Sequence, residues 1–255
     1  MGPRPLLVSR ARRSPIAFPS ASGFGRPGHN EPIGTEVTTE SLNAQFAALH
    51  SQREREWPPE QLQRNIAQRE TLVRKYDPAR HVRPGDTVEP FELVEPDGTI
   101  LTRNALLENG PAVLVFFRYS GCPACNLALP YYDRQLWPAL KANGVRLVAV
   151  SPQVPERLDI GKRHDLGFTV ASDRDNTLGR RLGITFEPED KPAVKPGDNW
   201  IGAATGTGTW ELPQPTVLLL DRHAKALFVD VSPDWLQRTE ADTILSRLAL
   251  QSIAA

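Results

Sequence analysis

Cysteine is scarce in this chain: Cys122 and Cys125 are the only two among 255 residues. That scarcity argues against a secreted, disulfide-stapled scaffold, which is usually smaller and much richer in cysteine. Long apolar runs are missing as well, so no segment has the length to cross a bilayer as a helix. Net charge is lacking too. The 30 lysines and arginines balance 30 aspartates and glutamates, so neither a nucleic acid nor an anionic membrane is expected as a partner. A small substrate is the expectation that remains.

Acidic residues are absent from Met1 to Asn30, where Arg4, Arg10, Arg12, Arg13 and Arg26 alternate with prolines, serines and glycines. Pro3, Pro5, Pro15, Pro19 and Pro27 deny this stretch a continuous helix, and residues 1–35 read as a disordered tail. The same prolines argue against the amphipathic helix of an organelle transit peptide, and Leu6-Leu7-Val8 is too short for a secretory signal. A cytoplasmic location is therefore expected, with organelle targeting as the alternative.

Leu42, Phe46 and Leu49 are spaced for one face of a helix, and Leu62, Ile66 and Val73 continue a similar stripe after Pro58-Pro59. Residues 36–80 thus read as a helical extension ahead of a main domain at 85–255. In that domain Phe91 and Leu93, the turn Pro96-Asp97-Gly98 and Ile100 predict a β-hairpin. A strand at 112–117, a helix from 123 to about 142, a strand at 145–150, a helix around 155–164, a strand at 168–171 and a helix at 176–182 are expected next. Residues 185–212 show no period, and a loop that long in a compact domain is usually functional or mobile. Strands at 215–221 and 226–231 and a helix at 240–250, capped by Thr239, complete the pattern. The fold class is α/β: a mixed sheet with helices on both faces.

The cysteines follow directly on Val113-Leu114-Val115-Phe116-Phe117, a short β-branched and aromatic run suited to a buried strand, and Gly121 breaks it before a helical stretch. Cys122 therefore falls at a helix N-terminus. Unpaired amides and the positive end of the macrodipole favour an anion there, so Cys122 is expected to be the thiolate-rich member, with Cys125 placed to close a disulfide. Three other readings stand beside a redox site: a zinc half-site, two inert core cysteines, and a permanent disulfide. Zinc would need two more ligands, and His29, His50, His81, His164 and His223 form no second pair at ligand spacing, so no metal is expected.

Taken together these residues resemble the thioredoxin fold in three ways: a CxxC pair after a central strand, Pro130 five residues beyond the second cysteine, and Pro215 before a later strand. A closer resemblance is to the peroxiredoxin-like branch of the alkyl hydroperoxide reductase and thiol-specific antioxidant superfamily. It rests on Phe117-Arg118 ahead of Cys122-Pro123-Ala124-Cys125-Asn126, on Val150-Ser151-Pro152-Gln153, on Leu212-Pro213-Gln214-Pro215-Thr216, and on Asp234-Trp235 with Arg238. The resemblance spans roughly Leu42 to Leu250.

It implies a thiol peroxidase in which Cys122 attacks peroxide and Cys125 resolves the sulfenic acid, with no cofactor. A thioredoxin-, glutaredoxin- or glutathione-type reductant would regenerate it, and a homodimer is compatible with it. Arg118 would stabilise the thiolate, and Pro215 in cis would face the pair. The family's PxxxTxxC motif is not kept, since Tyr119 stands at the threonine and Val115 at the proline, so Tyr119 or Ser120 would supply the peroxide-binding hydroxyl. The second arginine expected beside the late strand has no counterpart, with Pro215 in its neighbourhood. A thiol-disulfide oxidoreductase acting on proteins and a non-enzymatic redox sensor are the alternatives.

Overall fold

The computed structural model describes residues 40–189 and 191–253, so the arginine-rich tail at 1–35 lies outside the described residues. Two helices come first: α1, Leu42–Glu56, and α2, Pro59–Arg74. Ser41 starts α1, its side chain accepting from the Ala44 amide at 3.2 Å, and Pro58-Pro59 starts α2 with φ already suited to a first turn. The hairpin follows as β1, Glu92–Val94, and β2, Ile100–Thr102, turning at Gly98, whose φ of +88° a side chain would strain. A short helix α3, Arg103–Leu107, leads to the central strand β3, Ala112–Phe116.

The helix expected from 123 to 142 is two helices, α4, Pro123–Gln135, and α5, Trp137–Ala142. Pro130 is tolerated inside α4, but Pro138, at the start of α5, has no N–H to continue the ladder and the chain restarts at Leu136. Strand β4, Arg146–Ser151, comes next, and the helix expected around 155–164 is reduced to a single 3₁₀ turn and a four-residue α6, Ile160–Arg163. Strand β5, Thr169–Ser172, and α7, Thr177–Arg181, complete the crossover units. Residues 185–212 are not wholly irregular. They hold β6, Thr185–Phe186, α8, Ile201–Thr205, and β7, Leu212–Pro213, with β6 and β7 paired as a separate two-stranded sheet. Strands β8, Thr216–Leu220, and β9, Ala226–Val231, and helix α9, Ala241–Ile253, end the chain.

The main sheet has seven strands in the order β2-β1-β5-β4-β3-β8-β9. Strands β3, β4 and β5 are parallel, and the outer pairings are antiparallel, so the sheet is mixed. Strand β3 is buried on both faces. Val113, Val115 and Phe117 enter one apolar cluster with α1 and α4, whereas Ala112, Leu114 and Phe116 enter a second with β1 and α7. The alternation aims the end of β3 at the cluster that also holds both cysteines.

Thr239 does not cap α9; its hydroxyl donates to Asp230 at 2.7 Å. Glu240 spends its carboxylate on α1 instead, accepting from the amides of Leu42 and Asn43 at 2.9 Å, from Ser41 Oγ at 2.8 Å and from Tyr131 Oη at 2.7 Å. The reason is local: the first amides of α1 are orphan donors, and an anion at a helix N-terminus satisfies them. Burial would raise the Glu240 carboxyl, but these donors outweigh it and hold it below the usual value. Glu240→Ala is expected to destabilise the protein by about 2–3 kcal/mol, measured by urea denaturation. The wild-type contribution is complete above the unfolded carboxyl value of about 4.3 and is lost as pH falls through the lower folded value.

Candidate active site

Cys122 stands at the N-cap of α4 and Cys125 one turn inside it, where Pro123 begins the helix. The turn from β3 is held by many short bonds. Gln153 accepts from the Ser120 amide at 2.8 Å, and Asn126 donates to the carbonyls of Ser120 and Cys122, each at 2.8 Å. Arg163 donates to the Ser120 carbonyl at 2.6 Å, and Ser151 Oγ donates to the Arg118 carbonyl at 3.2 Å. Ser151 and Gln153 therefore satisfy loop backbone.

Both thiols are free and buried, Cys122 at 3% exposure and Cys125 at 0%. They hydrogen-bond one another, and the electrostatics distinguish them. Burial by itself would push the Cys125 thiol up. The bond from Cys122, the Arg238 guanidinium and the Arg118 backbone N–H more than offset it, so Cys125 is held well below the usual thiol value. Arg238 Nη2 lies 3.5 Å from Cys125 Sγ. Cys122 is pushed up, first by that same bond and then by burial, so the two thiols titrate as a pair. The guanidinium thus favours the anion on Cys125, where the helix end alone favours it on Cys122. Cys122 is the N-cap of α4 and Cys125 its third residue, and it is Cys125 that the guanidinium touches.

Arg238 brings a second guanidinium to the cysteines from the segment before α9, not from the late strand, where Pro215 stands. It is 6% exposed, donates through Nε to the Trp235 carbonyl at 3.1 Å, and lies 5.4 Å above the Phe46 ring. Its signal in the sequence was the Trp235-x-x-Arg238 spacing, which carries no charge information until the chain returns to the cysteines. The Arg118 guanidinium carbon lies over the Trp235 ring, 4.3 Å from its centroid, and its charge acts on Cys122 in the direction that favours a thiolate. Tyr119 is half-buried against the core that holds the cysteines, and burial raises its hydroxyl. Ser120 is buried with an unpartnered Oγ.

Pro215 is trans, for no peptide bond among the described residues is cis. The extended path is fixed on either side of it, by Gln214 N–H to the Ile184 carbonyl and by Ser232 N–H to the Pro215 carbonyl, each at 2.8 Å. It lies by Tyr132 and Arg238 in a small void.

Residues 84–226 match the model of the AhpC/TSA family, a span that includes both cysteines and more than half of the chain. The chain belongs to the AhpC/TSA family. This AhpC/TSA protein is accordingly an oxidoreductase of the peroxiredoxin-like type, and its sheet is thioredoxin-like. Among solved structures it resembles peroxidoxin BcpB from Mycobacterium tuberculosis, at 22% identity and a TM-score of 0.52, covering 67% of this chain and 98% of that one. It also resembles a yeast mitochondrial 1-Cys peroxiredoxin, at 17% identity and a TM-score of 0.50, covering 67% and 77%. No curated protein matches it. The family segment excludes α1, α2, Trp235 and Arg238, so the AhpC/TSA core alone does not supply the guanidinium at Cys125.

Proposed function

We propose that the protein is a thiol peroxidase that cycles through a Cys122–Cys125 disulfide, with Cys125 as the attacking sulfur. The observation that carries this reading is the buried guanidinium of Arg238 on Cys125, beside a second thiol that already donates to it. The Cys125 thiolate attacks the terminal oxygen of a hydroperoxide, the O–O bond breaks, and the departing alkoxide takes a proton and leaves as alcohol or water. Cys125 is then a sulfenic acid. Attack by Cys122 on that sulfur forms the disulfide and releases water, so two electrons have passed from two thiols to the peroxide. A thioredoxin-, glutaredoxin- or glutathione-type reductant returns them.

Burial of both sulfurs supports a small oxidant over a protein disulfide, which would have to bring its own backbone to a sulfur that is hardly exposed. Stopped-flow mixing of reduced protein with peroxide is the test. Disulfide formation at least about 100-fold faster than oxidation of free cysteine is expected, as for a thiolate favoured by a fixed cation. A rate no greater than that of free cysteine, together with a mixed disulfide to a protein substrate, would overturn it in favour of thiol-disulfide exchange.

A further inference from the structure

Three arginines surround the cysteine pair, and among the described residues none of them makes an ion pair with a carboxylate. Arg53 comes from α1, Arg118 from the turn after β3, and Arg238 from the segment before α9. Each faces an aromatic ring instead: Arg53 is 4.7 Å from the centre of Trp57, Arg118 4.3 Å from Trp235 and Arg238 5.4 Å from Phe46. Each also has one nitrogen sealed from solvent with no hydrogen-bond partner, Nη1 of Arg53, Nε of Arg118 and Nη1 of Arg238. The nearby acids are engaged elsewhere, Asp234 with Arg69 of α2 at 2.9 Å and Asp230 with the Thr239 hydroxyl at 2.7 Å. Tyr119 and Tyr132 add no anion, since burial raises both hydroxyls.

A cysteine thiolate is the anion left to these cations. Arg238 Nη2 lies 3.5 Å from Cys125 Sγ, and the charges of Arg53 and Arg118 reach Cys122. A disulfide is neutral, so closing it takes that anion away and leaves the guanidiniums to repel one another without a counter-charge. Whatever favours thiolate over thiol here therefore also favours the reduced pair over the disulfide. The unfolded chain offers little compensation, because the ring closed by Cys122 and Cys125 is too short to restrain it much.

Resting on the peroxidase reading, we infer that the Cys122–Cys125 disulfide is a strongly oxidising one, made less stable than the reduced pair by Arg53, Arg118 and Arg238, and that it oxidises ordinary monothiols. A thiolate attacks the Cys122 sulfur, the S–S bond breaks, and Cys125 leaves as the thiolate beside Arg238. A second thiol then attacks the mixed disulfide and displaces Cys122, which takes a proton. Two monothiols have become one disulfide, and their two electrons are back on the protein.

Equilibration of the full chain in glutathione buffers at neutral pH, with thiols trapped and counted by mass spectrometry, tests this without peroxide; the disulfide is first formed with diamide. The ratio of reduced to oxidised protein is expected to exceed that of a thioredoxin in the same buffer by about 100-fold or more. Arg53→Met, which removes one cation on α1 and keeps an apolar stem, should lower the ratio by about threefold or more, whereas Arg53→Lys should keep it near the wild-type value. Arg238→Met should lower it by about tenfold or more. The reduced protein should also have the higher urea midpoint, the reverse of a disulfide's usual effect. A ratio no greater than the thioredoxin's overturns the inference, as do a ratio unchanged in both methionine variants and an oxidised form with the higher midpoint. A high ratio with slow peroxide reduction would remove the peroxidase reading and leave the oxidising disulfide, and fast peroxide reduction with a thioredoxin-like ratio would do the opposite.

Discussion

Cys125→Ser is expected to lower the rate of peroxide reduction by on the order of 10³ or more, because an un-ionised hydroxyl replaces the thiolate that attacks. Cys122→Ser should behave differently. Its hydroxyl can still donate to the Cys125 sulfur in place of the Cys122 thiol, and Arg238 is untouched, so Cys125 stays the anionic member of the site. One rapid turnover to the sulfenic acid should remain, with no disulfide to follow. Dimedone labelling followed by mass spectrometry reads this directly: the label should appear on Cys125 in Cys122→Ser after one equivalent of peroxide. Label on Cys122 in the Cys125→Ser protein, with rapid turnover retained there, would reverse the assigned roles and restore the order that the helix end alone suggests.

The central strand and the cysteine turn were legible because their signals are local. A short apolar run rich in valine and phenylalanine, a glycine four residues beyond it and a proline at the first helical position leave the chain few alternatives. The hairpin at Gly98 was readable for the same reason. What the sequence concealed depends on return of the chain from afar. Glu240 looks like part of the start of its own helix, but it caps α1, 198 residues earlier at Leu42. Arg238 stands out in the sequence only through the family resemblance, but it is buried on Cys125, 113 residues earlier. Pro215 resembles a cis-proline by position, yet it is trans, with Gln214 N–H bonded to the Ile184 carbonyl and its own carbonyl accepting from Ser232. The macrodipole argument at Cys122 likewise weighs a local field and leaves out a distant charge, the Arg238 guanidinium.

Arg238→Met should slow peroxide reduction at neutral pH by about 10- to 100-fold, and should do so through the protonation state of the cysteine pair. Methionine keeps much of the apolar contact with Phe46 but removes the cation from Cys125. Arg238 lowers the Cys125 thiol, so its loss raises it, and a larger fraction of the protein holds both protons at pH 7. The rising limb of the pH–rate profile, which reports the thiolate, is therefore expected at higher pH in the variant, with part of the lost rate recovered as the solution becomes more alkaline. Arg238→Lys, which keeps a charge but not the planar fork, should lie between the two. A rate loss that is the same at every pH would mean that Arg238 serves only to pack Phe46 and Trp235 over the cysteines. A moved limb would instead tie the reactivity of the AhpC/TSA core to a residue outside the family segment, brought in by the chain that leads into α9.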